Sequence, residues 1–213
     1  GANTDVTLPM VTSTPGNHSF TVYTSDPNGA ADQNSFNDTR TTTFDINSIT
    51  TTSPVVEGFE NAAFPPAGWT FVDSNSPTMF YHLTTAGGFG NSTSSLRARC
   101  YVLASTYANM ISSPIDFTSL VAPASLTFDV AYAMKNSTSN DSLNVYVSTD
   151  CGNTWTRKYS KTGSALATAA NHTNNYTPTA SEWRNEVVDL TSYIGQQNVQ
   201  VRFEFYANSG NNI

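Results

Sequence analysis

Hydrophobic and polar residues alternate strictly in several short segments of this chain. Val199, Val201, Phe203 and Phe205 fall on one side of an extended backbone, with polar residues between them. The segment 126–132 repeats this pattern. Strands with one apolar face are what two packed β-sheets require, and no long amphipathic helical pattern interrupts them.

Turn-forming residues separate the β-prone segments at short intervals, which predicts an all-β fold built from antiparallel strands in a β-sandwich. The predicted strands are 20–24, 40–46, 68–73, 95–101, 108–112, 125–132, 143–148, 155–159, 183–190 and 199–206. The sequence Ser-Thr-Asp-Cys-Gly-Asn-Thr-Trp at 148–155 predicts a rigid hairpin turn, because Asp150 can accept bonds from the turn and Gly152 can take a positive φ.

The chain divides into three parts by composition. Residues 1–47 hold two or three β-prone runs, too few for a stable domain, so we expect the C-terminal part of a preceding β-sandwich. The Thr- and Ser-rich segment 48–54 is the predicted linker, and 55–213 is the main domain. The chain opens on Gly1 and not on Met, and its last residues up to Ile213 resemble the approach to another strand. We therefore expect a piece of a longer exported polypeptide.

Composition narrows the classes of function. Only 12% of the 213 residues are charged and the net charge is −7, which together with abundant Ser, Thr and Asn is typical of an extracellular β protein. The nine Lys and Arg residues are scattered, so nucleic acid is excluded as a partner. No run approaches the roughly 18 apolar residues needed to span a bilayer, which excludes membrane insertion.

Two cysteines, Cys100 and Cys151, are the only ones in the chain. An even count in a Lys-poor chain favours an oxidising compartment and a disulfide between them, with two buried free thiols as the alternative. Motifs of enzymes are missing: the three His residues form no His-Glu-x-x-His, and there is no Gly-x-Ser-x-Gly elbow or phosphate-binding loop. The sequence therefore predicts a segment that is not an enzyme.

A series of short motifs carries a resemblance to a known family. In order they are Val-Glu-Gly-Phe-Glu-Asn at 56–61, Phe-Pro-Pro-Ala-Gly-Trp at 64–69, Gly-Gly-Phe-Gly-Asn-Ser at 87–92, Ser-Ser-Pro-Ile-Asp at 112–116 and the strand 126–132. The series resembles the MAM-like jelly-roll modules of Bacteroidetes surface proteins, the choice-of-anchor J and gingipain-type cleaved adhesin group. The resemblance covers 55–213 and implies a jelly roll, while 1–47 is similar to the end of an Ig-like module.

Two departures from the family pattern stand out. Phe80-Tyr81-His82 occupies a place where these modules usually carry Trp. The modules normally finish with an Ile-Asp-Asp-Ile-like strand, so the last strand of the domain is expected to be missing after Ile213.

The resemblance implies a non-catalytic adhesion or interaction module of a large secreted bacterial protein at the cell surface, a client of type IX secretion. Its implied partners are surface proteins or glycans, neighbouring domains of the same polypeptide and the secretion machinery. Two alternatives stay open: an accessory domain of an exported protease, and a carbohydrate-binding module.

Candidate site residues follow partly from this resemblance. Related jelly rolls often hold a structural Ca²⁺ near the first strand, and a hard cation prefers the oxygen ligands that Glu60, Asn61, Asp73 and Asn91 could offer. Glu60 is the first choice, with an Asp of the missing strand as its partner; a Glu hydrogen-bonded at a strand end is the alternative.

Two further sites concern sugars. Tyr81 and Phe89 lie near loops and could stack on sugar rings, although aromatic residues in a sandwich more often belong to the core. The sequence Asp141-Ser142-Leu143 fits the O-glycosylation pattern of Bacteroidetes by resemblance, which makes Ser142 the expected modification site.

Overall fold

The computed structural model describes residues 7, 16–25, 29, 34, 36, 38–46, 51–88 and 90–213. The chain splits into two compact units, Gly1–Ser48 and Ile49–Ile213. In the first unit, β1 (Gly16–Tyr23) and β2 (Thr39–Ile46) form an antiparallel pair in which Phe20 lies opposite Thr42 and His18 opposite Phe44. No helix among the described residues is long and apolar enough to span a membrane.

The second unit contains eleven strands and one helical turn among its described residues. They are β3 (Thr51–Thr52), β4 (Trp69–Val72), β5 (Phe80–Leu83), β6 (Ser95–Ala98), β7 (Ala104–Ser112), β8 (Ile115–Asp116), β9 (Ser125–Val130), β10 (Ser142–Ser148), β11 (Thr156–Thr162), α1 (Gly163–Leu166), β12 (Arg184–Asp189) and β13 (Gln200–Asn208). Single turns of 3₁₀ helix lie at Ala180–Glu182 and Thr191–Tyr193.

One layer of the second unit is an antiparallel five-stranded sheet in the order β11-β10-β13-β7-β4. Period-2 alternation gives this sheet two different faces. The inner face carries buried apolar residues such as Val145, Phe203 and Met110. The outer face carries Asn144, Glu204 and other polar or aromatic residues opposite one another across the strands.

The other layer is formed by two separate two-stranded pieces, β5–β6 and β12–β9. Both pieces pack on the inner face of the five-stranded sheet through edge-on aromatic contacts. The Phe80 ring of β5 lies 5.5 Å from Phe205, and the Phe128 ring of β9 lies 5.2 Å from Phe203. The result is a β-sandwich whose second layer is divided.

The structure confirms the predicted fold class: the described chain is nearly all β, with antiparallel sheets in a sandwich apart from the short parallel pair β3–β8. Each of the ten predicted strands corresponds to an observed strand, with ends that differ by a few residues. The strands that sequence reasoning missed are β3, β5 and β8, which are only two to four residues long. Such short runs give too few repeats for alternation to be visible.

Candidate functional site

A groove of about 500 Å³ opens between the two pieces of the divided layer. This volume lies in the range of roughly 300–1,000 Å³ that ligand pockets usually occupy. One wall comes from the β6 piece and the opposite wall from β9, and the consecutive residues 53–59 also line the groove.

The walls of the groove are strand edges. Every residue of β9 contributes to the lining, and on the opposite side the consecutive residues 94–97 do the same. If a strand turned one of its two faces toward the groove, only every second residue would line it. Because consecutive residues line the groove, the backbone edge of each strand borders it. Among the described strands, β9 pairs only with β12 and β6 only with β5.

The floor of the groove is apolar. It is formed by side chains that the five-stranded sheet points inward, including Met110, Leu143, Phe203 and Phe205. Half-buried Leu96 and Phe128 flank the floor from the two walls. An extended segment with apolar side chains on one face would match both this floor and the polar backbone edges beside it.

One residue already pairs with the edge of β6. The Ala98 N–H donates to the Ile213 carbonyl over 2.8 Å, and the Ile213 N–H donates to the Ala98 carbonyl over 3.1 Å. Two residues that exchange both bonds form a hydrogen-bonded antiparallel pair. Ile213 therefore sits opposite Ala98 as a strand residue, and its side chain packs against the main hydrophobic core.

A buried carboxylate fixes the backbone that leads to Ile213. Asp141 is fully buried and accepts hydrogen bonds from the backbone N–H groups of Asn208 over 2.6 Å and Asn211 over 2.8 Å, and from the Tyr132 hydroxyl over 2.9 Å. Gly210 donates a fourth bond over 3.2 Å. Burial raises the pKa of Asp141 above its ordinary value, although these bonds oppose the shift.

Two buried amides continue this attachment. The side-chain nitrogen of Asn211 donates to the carbonyl oxygens of His172 and Asn174 over 2.6 and 2.7 Å, and its oxygen accepts a bond from the Tyr176 N–H over 2.9 Å. Asn212 bonds to the Tyr176 carbonyl over 3.1 Å. Because the amide groups of Asn211 and Asn212 bond to the backbone of residues 172–176, the segment before Ile213 is held firmly beside the groove.

Comparisons with known proteins find distant likenesses only. No family model matches the chain, and no curated protein matches it. Among solved structures it is similar to the K2 cleaved adhesin domain of Lys-gingipain, with a TM-score of 0.43 and 17% identity over 70% of this chain and 93% of that one. The K3 cleaved adhesin domain of Lys-gingipain from Porphyromonas gingivalis w83 has a TM-score of 0.46 and 20% identity over 70% and 87%.

A further likeness is to a carbohydrate-binding module of the β-sandwich superfamily, with a TM-score of 0.44 and 13% identity over 94% of this chain and 71% of that one. Likenesses as distant as these three do not show what this chain binds.

Hydrogen bonds tie the two carboxylates among the predicted calcium ligands, Glu60 and Asp73, to different loops. The Glu60 carboxylate accepts bonds from the Ser92 hydroxyl and from the Thr93 and Ser94 N–H groups. These bonds, the Ser92 hydroxyl foremost, hold the pKa of Glu60 below its ordinary value. The Asp73 carboxylate instead accepts bonds from its own loop, from Asn75 and from the Met79 N–H. Asn61 and Asn91 are exposed.

A cation at Glu60 would have to displace these N–H and O–H donors, so the arrangement does not fit a ready-made calcium shell. No cluster of three or more His, Cys, Asp or Glu side chains able to hold a metal occurs in the described part of the chain. Calcium binding stays a prediction. It is supported if added Ca²⁺ raises the Tm of chelator-treated protein by several degrees and Glu60→Gln abolishes the rise, and contradicted if the Tm is unchanged.

The predicted sugar-related residues do not lie together. Tyr81 is 50% exposed and borders a shallow polar depression that Arg97, Arg99 and Thr177 also line. Phe89 lies outside the described residues. Ser142 is half-buried and stands opposite Tyr206 in the five-stranded sheet. Glycan contact by Tyr81 and glycosylation of Ser142 stay predictions.

The predicted disulfide is wrong for this structure, in which both cysteines are free. Cys100 is fully buried in the main core, whereas Cys151 is exposed in the turn between β10 and β11. Burial, together with the nearby Asp141 carboxylate, raises the pKa of the Cys100 thiol well above its ordinary value. Cys100 is therefore a core residue with an unreactive thiol.

Sequence reasoning missed the residues that build the groove. Asp141, Asn211 and Asn212 look like loop residues in a chain rich in Asn and Asp, yet all three are buried. Apart from the bond between neighbouring Asn211 and Asn212, their side-chain partners lie 9 to 111 positions away in the sequence, where no local pattern reveals them.

Proposed function

We propose that this chain is a non-catalytic interaction module and that its groove binds one extended polypeptide strand. The observation that carries this proposal is the lining of the groove by the consecutive runs 94–97 and 125–131, which include residues of β6 and β9. The run 53–59, which also lines the groove, forms no strand. Unpaired strand edges recruit another strand through main-chain hydrogen bonds, and alternate side chains then provide specificity.

The apolar floor of the groove also favours an extended polypeptide strand as the ligand. A strand inserted between β6 and β9 would join two strands on each side into a layer of five, equal in number to the opposite sheet. Its inward side chains would pack over the half-buried Leu96 and Phe128 beside the floor, and its backbone would satisfy both edges. The ligand class is therefore an extended peptide segment whose alternate residues are apolar.

The family resemblance is the basis for proposing where this module is located and what role it has. We infer an extracellular or cell-surface location within a large secreted bacterial protein, with adhesion as its role and type IX secretion as its route. A role as an accessory domain of an exported protease would use the same groove, because strand recruitment does not depend on the activity of neighbouring domains.

Strand binding can be tested by changing which residues of an added strand face the floor of the groove. Eight residues of alternating Val and Thr are fused directly after Ile213 in two versions. Counted from the first fused residue, Val occupies the even positions in one version and the odd positions in the other. Because Ile213 packs inward and side chains repeat every second residue, the even version places Val over the floor. We expect the even version to raise the Tm by several degrees and the odd version to leave it nearly unchanged.

The same peptides are then added in trans to the 213-residue chain, and binding is followed by fluorescence anisotropy of a labelled peptide. The matched control replaces two alternate residues of the even peptide with Pro, which removes N–H donors. Binding of the even peptide that Pro abolishes supports recruitment of a strand in trans. Equal Tm values for the two fusions, together with no binding in trans, would overturn the proposed function.

A further inference from the structure

The outer face of the five-stranded sheet, on the side away from the groove, carries aromatic and polar side chains in ordered rows. Across the strands β7, β13 and β10, one row is Tyr107, Tyr206 and Ser142, and the next is Asn109, Glu204 and Asn144. The third row is Ile111, Arg202 and Tyr146. Period-2 alternation places all nine side chains on this one face.

Aromatic rings on this face are held in fixed positions. The Arg202 guanidinium lies 4.3 Å from the centre of the Tyr146 ring and 4.5 Å from that of Trp155. The Tyr146 hydroxyl also donates to Glu204 over 3.2 Å. These cation–π and hydrogen-bond contacts restrict the Tyr146 and Trp155 rings and hold the part of the face around Arg202 and Glu204 in one arrangement.

Polar groups between the rings are only partly satisfied. Glu204 accepts a second bond from Asn144 over 3.2 Å through the same oxygen, Oε1, that binds Tyr146. The Oε2 oxygen of this half-buried carboxylate therefore keeps its acceptor capacity. A sugar hydroxyl can donate a hydrogen bond to it.

The charges of this face favour a neutral ligand. Arg202 and Glu204 lie two residues apart on β13 and balance each other, and the chain as a whole carries a net charge of −7. A polyanion would meet this negative field, whereas a neutral glycan would not. Exposed Tyr107, at 61%, and half-buried Tyr206 lie directly opposite each other and offer a stacking platform at one end of the rows.

We propose that this outer sheet face, which we call the Tyr107–Arg202 face, binds a neutral carbohydrate chain. Sugar rings stack on Tyr107 and Tyr206, and sugar hydroxyls bond to the Glu204 carboxylate. This site is separate from the groove and from Tyr81, which belongs to the opposite layer.

The test is affinity electrophoresis of the whole 213-residue chain in native gels that contain galactomannan, xyloglucan or mixed-linkage β-glucan. Polygalacturonate is the acidic comparator. We expect retardation by at least one neutral polysaccharide and none by polygalacturonate. Tyr107→Ala and Tyr206→Ala should each weaken binding about tenfold, the loss expected for one aromatic stacking contact.

Tyr23→Ala is the control, because it removes an exposed Tyr, at 72%, from β1 of the first unit. It should bind like the unmodified chain, and the Tm of each variant shows that the fold is kept. No retardation by any of the three neutral polysaccharides would overturn the proposal. Loss of binding in Tyr23→Ala or in Tyr81→Ala equal to that in Tyr107→Ala would also overturn it, as would stronger retardation by polygalacturonate.

Discussion

At residue 210 the backbone passes so close to a buried carboxylate that only glycine fits. A Cβ at Gly210 would lie 1.7 Å from Asp141 Oδ2 and 2.7 Å from the Tyr132 hydroxyl oxygen. We expect Gly210→Ala to lower the free energy of unfolding by about 2–4 kcal/mol, because the new methyl group must displace a buried hydrogen-bonded network. Urea unfolding followed by intrinsic fluorescence measures the change.

Gly58→Ala is the control for this substitution. A Cβ at Gly58 would contact only Glu60 Cγ, at 3.8 Å, and the residue has no positive φ. Its free energy of unfolding should stay within about 0.5 kcal/mol of the original value. Similar losses for both variants would mean that the Asp141 network does not restrict residue 210.

The two cysteines should differ sharply in reactivity. Under native conditions maleimide should label exposed Cys151 and leave buried Cys100 unmodified, because burial raises the pKa of the Cys100 thiol and blocks access to it. Mass spectrometry should count one label on the native chain and two after denaturation without a reductant. A count of zero in both conditions would mean that the cysteines are joined in a disulfide.

Among the elements, β11 and β12 belong to different layers and are joined by an ion pair. The Glu186 carboxylate of β12 accepts bonds from Lys161 Nζ of β11 over 2.6 Å and from Arg184 Nε over 2.7 Å. Although burial raises the pKa of Glu186, the bonds from Lys161 and Arg184 outweigh it and hold the pKa below the ordinary value of 4.5.

A lowered pKa fixes the sign of the pH dependence. The stabilisation from Glu186 is fully present above the unfolded-state pKa and is lost as the pH falls through the folded-state pKa. We therefore expect Glu186→Gln to lower the Tm at pH 7, with a difference from the unmodified chain that shrinks below pH ~4.5. Thermal unfolding from pH 3 to 7 measures this difference, and one that is constant across the range would contradict the prediction.

A double-mutant cycle with Lys161→Met separates the ion pair from other effects of the substitution. If the two groups interact directly, the double variant should lose less stability at pH 7 than the sum of the single variants.

Strand positions were predictable from sequence because alternation is a local signal. The pattern Val199, Val201, Phe203, Phe205 marks β13 and its inward face, and the turn around Asp150 has the expected bonds to Thr154. Those bonds, first the one from the Thr154 hydroxyl, lower the pKa of Asp150 to about 2. The groove was not predictable, since it depends on which strand edges remain unpaired after residues far apart in sequence have come together.

For the whole molecule, the described hydrophobic clusters all lie within 49–213. We expect a chain of residues 49–213 alone to unfold in one cooperative transition, because it contains a complete set of packed inner-face residues. Near-UV circular dichroism and fluorescence should report coincident melting curves. Separate transitions for the two probes would contradict this expectation.

The divided layer also affects how the molecule responds to heat. Half-buried side chains beside the groove, such as Leu96, Leu126 and Phe128, are partly hydrated before unfolding begins. Unfolding then exposes less new apolar surface than in a sandwich with two continuous layers, so the heat-capacity increment of residues 49–213 should fall below the usual ~12–15 cal/mol/K per residue. A flatter curve of stability against temperature is thus the calorimetric signature of an open strand position.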